Sequence, residues 1–193
     1  MHEIEVKVLN INLDQIKEKL HSLKAEFYKK EFQTNYMFDY ADNRFFDKGG
    51  YVRIRKIKNL LNNDVKILVT FKELISKDQF KVSKEIEFYS DNMESTKDFL
   101  QALGLKLIRV DEKIRESYKL DEGLIEIDTW AGVPTYLEAE SDTKENVETL
   151  LHKIGYNIEQ STSMSLAEIL KHYDLSNNNL VFSDDIKKSL GYI

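Results

Sequence analysis

Charged side chains recur at every second position in six places of this chain, with apolar residues between them. The six places are Glu3-Glu5-Lys7, Arg53 with Arg55, Glu85 with Glu87, Lys113 with Arg115, Glu126 with Asp128, and Glu138 with Glu140; Thr70 with Lys72 is a polar variant. Residues i and i+2 of a β-strand point to the same face of a sheet, so each group predicts a strand that displays its charges on one face. That face either looks at water or encloses a polyvalent ligand.

These residue types are suited to binding a polyphosphate together with its cations. The arginine guanidinium presents a planar fork that matches phosphate oxygens, and lysine supplies a compact point charge. Carboxylates are hard oxygen ligands for Mg²⁺ or Mn²⁺, ions that commonly bridge a protein carboxylate and a substrate phosphate. Any single pair is more typical of a solvated sheet face. Most same-face neighbours share one sign, however, and both signs recur on many strands, which favours an enclosed site.

The composition limits the classes of function. The chain has 193 residues, of which 41% are apolar, which suits one domain, or one domain with an appended tail. A formal net charge of −6 argues against a general nucleic-acid binder. No stretch approaches the roughly 18 apolar residues that would span a membrane. The lack of cysteine, and the absence of room for a signal peptide before the first strand, predict a cytoplasmic protein.

Sequence periodicity predicts an α+β fold. Helices are predicted along the stripe from Leu13 to Phe27, from Ser95 to Leu103, from Val147 to Ile154 and after Ser163. Strands are predicted at about 2–9, 33–39, 50–58, 65–73, 81–89, 106–119, 124–129 and 135–141. Residues 1–172 are predicted to form one domain. Residues 173–193 are predicted to form a tail that either covers one end of the sheet or is poorly ordered.

The order of these motifs resembles that of the CYTH superfamily, also called triphosphate tunnel metalloenzymes. The resemblance rests on the opening Glu3-x-Glu5-x-Lys7 and on the segments RIR at 53–55, TFK at 70–72, EIE at 85–87, KIR at 113–115, IDTW at 127–130 and YLEAE at 136–140. It extends from residue 3 to about residue 170. It implies a closed or nearly closed antiparallel barrel of about eight strands, with helices packed outside and a triphosphate bound in the tunnel with divalent metal.

The resemblance also implies a role for each charged residue. Those expected to hold phosphate oxygens are Lys7, Arg53, Arg55, Lys72, Lys113 and Arg115. Those expected to bind Mg²⁺ or Mn²⁺, directly or through water, are Glu3, Glu5, Glu138 and Glu140. Asp128 is expected to be either a metal ligand or a partner of the basic groups, and Glu85 and Glu87 are expected in supporting positions. Glu126 has the same parity, but we expect it to be exposed at the surface.

Members of this superfamily include inorganic triphosphatases, thiamine triphosphatases and class IV adenylyl cyclases. The favoured hypothesis is metal-dependent hydrolysis of a small-molecule triphosphate, with neither nucleic acid nor membrane as a partner. A cyclase that makes cyclic AMP and pyrophosphate from ATP, or a binding protein without turnover, are the alternatives. Lys7 and Lys72 are the candidates for a general base, because a lysine desolvated among other cations has a lowered pKa.

One position departs from the family pattern. Met37 stands where family members often carry a tyrosine, in the segment Asn35-Tyr36-Met37-Phe38-Asp39. Thiamine triphosphatase-like members are thought to use a tyrosine beside the strand lysine, so this departure argues against that activity. The sequence leaves the oligomeric state open, with a homodimer among the possibilities.

Overall fold

The chain folds into a closed antiparallel barrel of eight strands. The computed structural model describes residues 2–176 and 178–192. The strands are β1 His2–Val8, β2 Glu26–Asp39, β3 Tyr51–Asn59, β4 Val65–Lys77, β5 Lys81–Ser90, β6 Lys106–Leu120, β7 Gly123–Trp130 and β8 Tyr136–Ser141. Around the barrel they follow the order β1-β5-β4-β3-β2-β6-β7-β8, and β8 pairs with β1 to close the sheet. This confirms the predicted α+β fold and its eight-stranded barrel.

Helices pack on the outside of the barrel. They are α1 Leu13–Ser22, α2 Met93–Ala102, α3 Lys144–Ile154, α4 Leu166–His172 and α5 Asp184–Ser189, with short 3₁₀ turns at Phe46–Lys48 and Ile158–Gln160. No helix in the described ranges is long and apolar enough to cross a membrane.

Several predicted element boundaries were wrong. The strand predicted at about 33–39 extends over Glu26–Asp39, because residues before position 33 also pair with β6. The first helix stops at Ser22 rather than reaching Phe27, because Lys24 takes a left-handed backbone conformation and the chain enters β2 at Glu26. The second helix is capped by the side chain of Asn92, which accepts a hydrogen bond from the Ser95 backbone N–H. Ser95 is therefore the third residue of that helix and not its cap. The prediction chose the wrong residue because Asn and Ser are both preferred at the N-cap position.

The largest core cluster lies between the outer barrel face and helices α1 and α3. Alternation along β7 and β8 turns Ile125, Ile127, Leu137 and Ala139 outward, where the apolar side of α3, including Leu150, covers them. The same alternation turns the charged residues of these strands inward. Burial of the apolar face outside the barrel therefore fixes which side chains face its interior.

The C-terminal residues cover part of the outer barrel wall, rather than one end of the sheet. Phe182 and Tyr192 pack against Phe32 of β2, with the Tyr192 and Phe32 ring centroids 4.0 Å apart. The described part of the tail is thus ordered against the barrel, while residues 177 and 193 of it lie outside the described ranges.

Substituting Leu150 by Ala should destabilise the protein by about 2–5 kcal/mol, since it removes a fully buried side chain and leaves a cavity between α3 and the barrel. Urea unfolding followed by circular dichroism would measure this change. Leu61→Ala, at a side chain that is 59% exposed, is the matched control and should change the free energy of unfolding little. Equal effects of the two substitutions would contradict the assignment of the core.

Candidate active site

The inward faces of the strands line one elongated cavity of about 650 Å³. Twelve of the thirteen residues predicted for the site contribute to its lining: Glu3, Glu5, Lys7, Arg53, Arg55, Lys72, Glu85, Glu87, Lys113, Arg115, Glu138 and Glu140. The thirteenth, Asp128, is fully buried behind the lining. Charges that are up to 137 positions apart in the sequence, as Glu3 and Glu140 are, therefore share one enclosed space.

The ladder register places charges of opposite sign side by side. Lys7 of β1 stands opposite Glu138 of β8, and Lys72 of β4 stands opposite Glu85 of β5. Directly opposed residues have Cβ atoms roughly 4.5–5.5 Å apart, which allows their side chains to pair. The cavity is therefore lined in part by cross-strand ion pairs, although like charges also stand opposite each other, as Glu5 and Glu140 do.

Lys7 is held between two carboxylates. Its Nζ lies 2.8 Å from Glu5 Oε1 and 3.1 Å from Glu138 Oε1. The Nζ of Lys81, a residue missing from the sequence prediction, lies 2.8 Å from the same Glu5 oxygen. Burial alone would lower the pKa of Lys7, but Glu138 and Glu5 outweigh it and raise the pKa above its ordinary value.

Lys72 has a similar environment. Its Nζ lies 2.5 Å from Glu3 Oε2 and 2.7 Å from Glu85 Oε1. Burial opposes its charge, yet Tyr51, Glu5, Glu3 and Glu85 together raise its pKa well above the ordinary value. The lowered pKa that we expected for the candidate bases Lys7 and Lys72 is therefore not found, because carboxylates rather than cations surround both.

The expected lowering occurs instead at Lys113. Burial and the neighbouring Arg115 lower its pKa to about 8, against the opposing charge of Asp128. The Lys113 Nζ donates to Asp128 Oδ2 at 2.7 Å and lies 4.8 Å from the centroid of the Trp130 ring. Of the three lysines predicted for the site, Lys113 is thus the one whose proton is most easily removed.

Arg115 holds a buried cluster of carboxylates together. Its guanidinium forms a two-point pair with Asp128, with both N···O distances at 2.6 Å, and reaches Glu138 Oε2 at 2.5 Å. It also pairs with Glu126. The Asp128 oxygens are thus engaged by Arg115 and Lys113, and their charges lower the pKa of Asp128 despite its burial.

The expectation that Glu126 is exposed at the surface was wrong. Glu126 is only 2% exposed, pairs with Arg115 and accepts a hydrogen bond from Ser117 Oγ at 2.8 Å. Its parity with Asp128 already placed it on the inward face. In a closed barrel that face is buried along the whole strand, whereas an open sheet would have left it in water.

Arg55 is the cation with the least compensation. It has no carboxylate within ion-pair distance among the residues that the structure describes, and its Nε donates to the side-chain oxygen of Asn35 at 2.8 Å. Burial and the nearby Arg53 and Arg115 lower the pKa of Arg55 to about 10. Its neighbour Arg53 lies 3.9 Å from Glu87, a distance at the limit of an ion pair. This part of the cavity has an excess of positive charge.

Glu140 is a buried carboxyl that lies among other carboxylates. Burial and the charges of Glu3 and Glu126 raise the pKa of Glu140 to about 9. It makes no ion pair or side-chain hydrogen bond in the described part of the chain. A divalent cation would relieve the repulsion between these carboxylates, and hard oxygen ligands suit Mg²⁺ or Mn²⁺. No group of three or more acidic or histidine side chains in the described residues is preassembled to hold a metal ion, so any such ion needs additional oxygen ligands.

The prediction from sequence missed several polar residues of the cavity wall: Lys81, Asn35, Tyr51, Arg109 and Asp111. Arg109 and Asp111 continue the parity of Lys113 and Arg115, so the same alternation would have found them. Tyr51 stands opposite Lys72 in the ladder between β3 and β4, and its hydroxyl accepts a hydrogen bond from Arg53 at 3.1 Å. A tyrosine therefore stands beside Lys72 although Met37 replaces the family tyrosine.

The chain belongs to the CYTH domain family, whose model matches residues 1–168. The members of this family are adenylyl cyclase and triphosphatase enzymes, as the resemblance implied.

Three similar proteins illustrate the family. A protein of Methanocaldococcus jannaschii named "Putative adenylate cyclase MJ0240" is 28% identical over 181 residues, which cover 94% of each chain. The PH1012 protein of Pyrococcus horikoshii OT3 has a similar structure, with a TM-score of 0.72 and 26% identity over 86% of this chain and 98% of that one. A Hippeastrum protein, described as a "putative adenylyl cyclase" with a dominant triphosphatase activity, shares the fold at a TM-score of 0.55 and 17% identity, over 99% and 97% of the two chains.

Glu140→Gln should stabilise the ligand-free protein at pH 7 by about 2 kcal/mol and leave its stability unchanged at pH 4. A carboxyl with a raised native pKa keeps a proton that the unfolded chain releases, so it costs stability between its unfolded pKa, near 4.5, and its native pKa, near 9. Urea unfolding at the two pH values would measure the difference. Glu148→Gln, on the exposed face of α3, is the control. A pH-independent effect of Glu140→Gln would contradict the raised pKa.

Proposed function

We propose that this protein is a metal-dependent triphosphatase that binds its substrate lengthwise in the barrel cavity. The observation that carries the proposal is an uncompensated guanidinium and a carboxyl with a raised pKa in one enclosed space. Among the described residues, Arg55 has no carboxylate within ion-pair distance, and Glu140 is crowded by other carboxylates. A triphosphate accompanied by a divalent cation supplies both missing charges, and a neutral ligand supplies neither.

Six basic residues are proposed to contact phosphate oxygens: Lys7, Arg53, Arg55, Lys72, Lys113 and Arg115. Arg53 and Arg55 offer guanidinium donors that are not tied to a close carboxylate. Lys7 and Lys72 would exchange part of their contact with protein carboxylates for contact with the substrate. Fixed cations of this kind stabilise the charge that develops on phosphoryl oxygens during transfer.

The acidic residues divide between metal binding and orientation. We assign Glu3 and Glu140 to Mg²⁺ or Mn²⁺, with Glu5 and Glu138 as further ligands that Lys7 holds in place. The ion, when bound, would neutralise phosphate charge and polarise the phosphorus–oxygen bonds. Asp128 is proposed to orient Arg115 and Lys113 and not to bind metal. Among the supporting residues, Glu85 pairs with Lys72, and Glu87 accepts a hydrogen bond from Thr70 at 2.7 Å.

In this reaction, water attacks the terminal phosphorus and the phosphoanhydride bond to that phosphorus breaks. The terminal group becomes orthophosphate, and the remaining diphosphate or nucleoside diphosphate is the leaving group. The attacking water must lose a proton. We infer that Lys113, with its pKa lowered to about 8, is better suited to accept it than Lys7 or Lys72. The alternative reaction is the cyclisation of ATP to cyclic AMP and pyrophosphate. The name of the M. jannaschii relative favours the cyclase, and the activity described for the Hippeastrum protein favours the hydrolase.

Product analysis separates these functions. The purified protein is incubated with tripolyphosphate or with ATP, in the presence of Mg²⁺ or Mn²⁺, and products are resolved by ³¹P NMR and liquid chromatography. Release of orthophosphate supports the hydrolase. Cyclic AMP together with pyrophosphate would identify the cyclase instead, and saturable binding without products would identify a sensor of triphosphates. The absence of both binding and turnover would refute the proposed site.

Arg55→Ala should weaken tripolyphosphate binding by roughly 10- to 100-fold, the value of one charge-assisted hydrogen bond to an anion. The fold should persist, because Arg55 has no carboxylate partner in the described residues that its loss would leave buried and unpaired. Isothermal titration calorimetry gives the affinity. Arg44→Ala, which removes an exposed arginine outside the cavity, is the control. Unchanged affinity in the Arg55 variant would remove this residue from the site.

A further inference from the structure

The last described residues of the chain contact the strand that carries three cavity cations. We call the segment Asn179–Tyr192 the C-terminal strap. It lies beyond residue 168, where the match to the CYTH family ends. The strap bonds to β6 through its backbone and a side chain. The Glu112 N–H donates to the Leu180 carbonyl oxygen at 2.6 Å, and the Val110 N–H donates to the side-chain oxygen of Asn179 at 3.0 Å.

The strap occupies a strand edge that β7 does not cover. The ladder between β6 and β7 begins at Lys113, which leaves residues 106–112 of β6 beyond the end of that ladder. Leu180 forms a parallel bridge with Asp111 at this place. An open strand edge presents unpaired backbone groups, and the strap satisfies some of them.

Side chains hold the strap on the outer wall. Tyr192 stacks on Phe32, and its hydroxyl lies 3.1 Å from the Thr34 hydroxyl. Phe182 packs in the same cluster, and its N–H donates to Glu112 Oε2 at 2.9 Å. Lys187 pairs with Glu112 at 3.0 Å. These contacts bury apolar area and pair a buried carboxylate, so the strap has a defined place.

The strap reaches the cavity through Asp111, which is 3% exposed and faces inward. Asp111 Oδ1 accepts hydrogen bonds from the Leu180 N–H at 3.1 Å and from Arg109 Nε at 2.7 Å. The Asp111 carbonyl oxygen accepts from the side-chain amide of Asn35 at 3.2 Å, and Asn35 in turn accepts from Arg55. One residue therefore connects the strap to two cations of the cavity.

We propose that the C-terminal strap, acting through Asp111 as a positioning residue, fixes Arg109 and Arg55 and so sets the affinity of the cavity for triphosphate. Arg109 is the outermost cation of the inward row formed by Arg109, Asp111, Lys113 and Arg115, and we place it at the end of the bound triphosphate. This inference rests on the proposed function. The strap acts on binding and not on bond cleavage, because none of its residues lines the cavity.

The test uses the full-length chain and measures the affinity for tripolyphosphate with Mg²⁺ by calorimetry. Phe182→Ala combined with Tyr192→Ala should loosen the strap and weaken binding about tenfold. Asp111→Ala removes the carboxylate that accepts from Leu180 and Arg109 but leaves the carbonyl that binds Asn35. It should weaken binding by up to the same factor, and adding it to the strap variant should weaken binding no further. Asp111→Asn keeps the acceptor oxygen and should retain most of the affinity. Lys188→Ala, on α5, is the control and should bind as the wild type does.

Hydrogen exchange of the Val110 and Glu112 amides reports whether the strap is released. Released amides with wild-type affinity would overturn the proposal, and so would full additivity of the strap and Asp111 substitutions. If the strap variant does not fold, the two Asp111 variants decide, and equal affinity of the wild type and Asp111→Ala overturns the proposal. A wild type that binds neither tripolyphosphate nor ATP overturns the proposed function, and this inference with it.

Discussion

Mutual compensation of buried charge is the constraint on which this molecule depends. The barrel interior encloses at least six basic and seven acidic side chains that the residue pattern predicted, and removal of each from water is unfavourable unless a partner lies close. The ladder register provides those partners by placing lysine or arginine opposite carboxylates on neighbouring strands. These cross-strand ion pairs offset part of the cost of enclosing the charges, although all seven of these carboxylates lie on four strands, β7, β8, β1 and β5, that are consecutive around the barrel.

Compensation is incomplete in two places, and both bear on function. Arg55 donates a hydrogen bond to the side-chain oxygen of Asn35, and neighbouring carboxylates repel the ionised form of Glu140. An apolar substitution at either position would relieve the electrostatic cost, so stability alone does not account for these residues. A polyanion with its divalent cation would complete the charge balance of the cavity. The interior therefore combines a framework of paired charges with one arginine and one carboxyl of raised pKa, whose charges an anion and a divalent cation would balance.

The ion pairs of the ligand-free protein also give individual charged residues roles that their residue type alone does not predict. Carboxylates hold Lys7 and Lys72 as ammonium ions, whereas burial and the neighbouring Arg115 lower the pKa of Lys113 to about 8. Asp128 accepts hydrogen bonds from Lys113 and Arg115 and is buried behind the cavity lining. Two chemically identical lysines can thus serve different purposes, because the neighbours on adjacent strands decide the charge of each.

The sequence by itself determined the strands, the inward parity of their charges and the family. Alternation with a period of two is a local pattern that can be recognised from the sequence alone, as Glu3-Glu5-Lys7 and Glu138-Glu140 illustrate. Only the tertiary structure decided which charged residues pair with one another. The burial of Glu126, the isolation of Arg55 and the contact between Leu180 and Asp111 depend on how the sheet closes and on which strands become neighbours. Closure of the barrel brings together residues from opposite ends of the chain. The energy of an interaction between two charges depends on their distance in space and on their burial, and a local sequence pattern contains neither quantity.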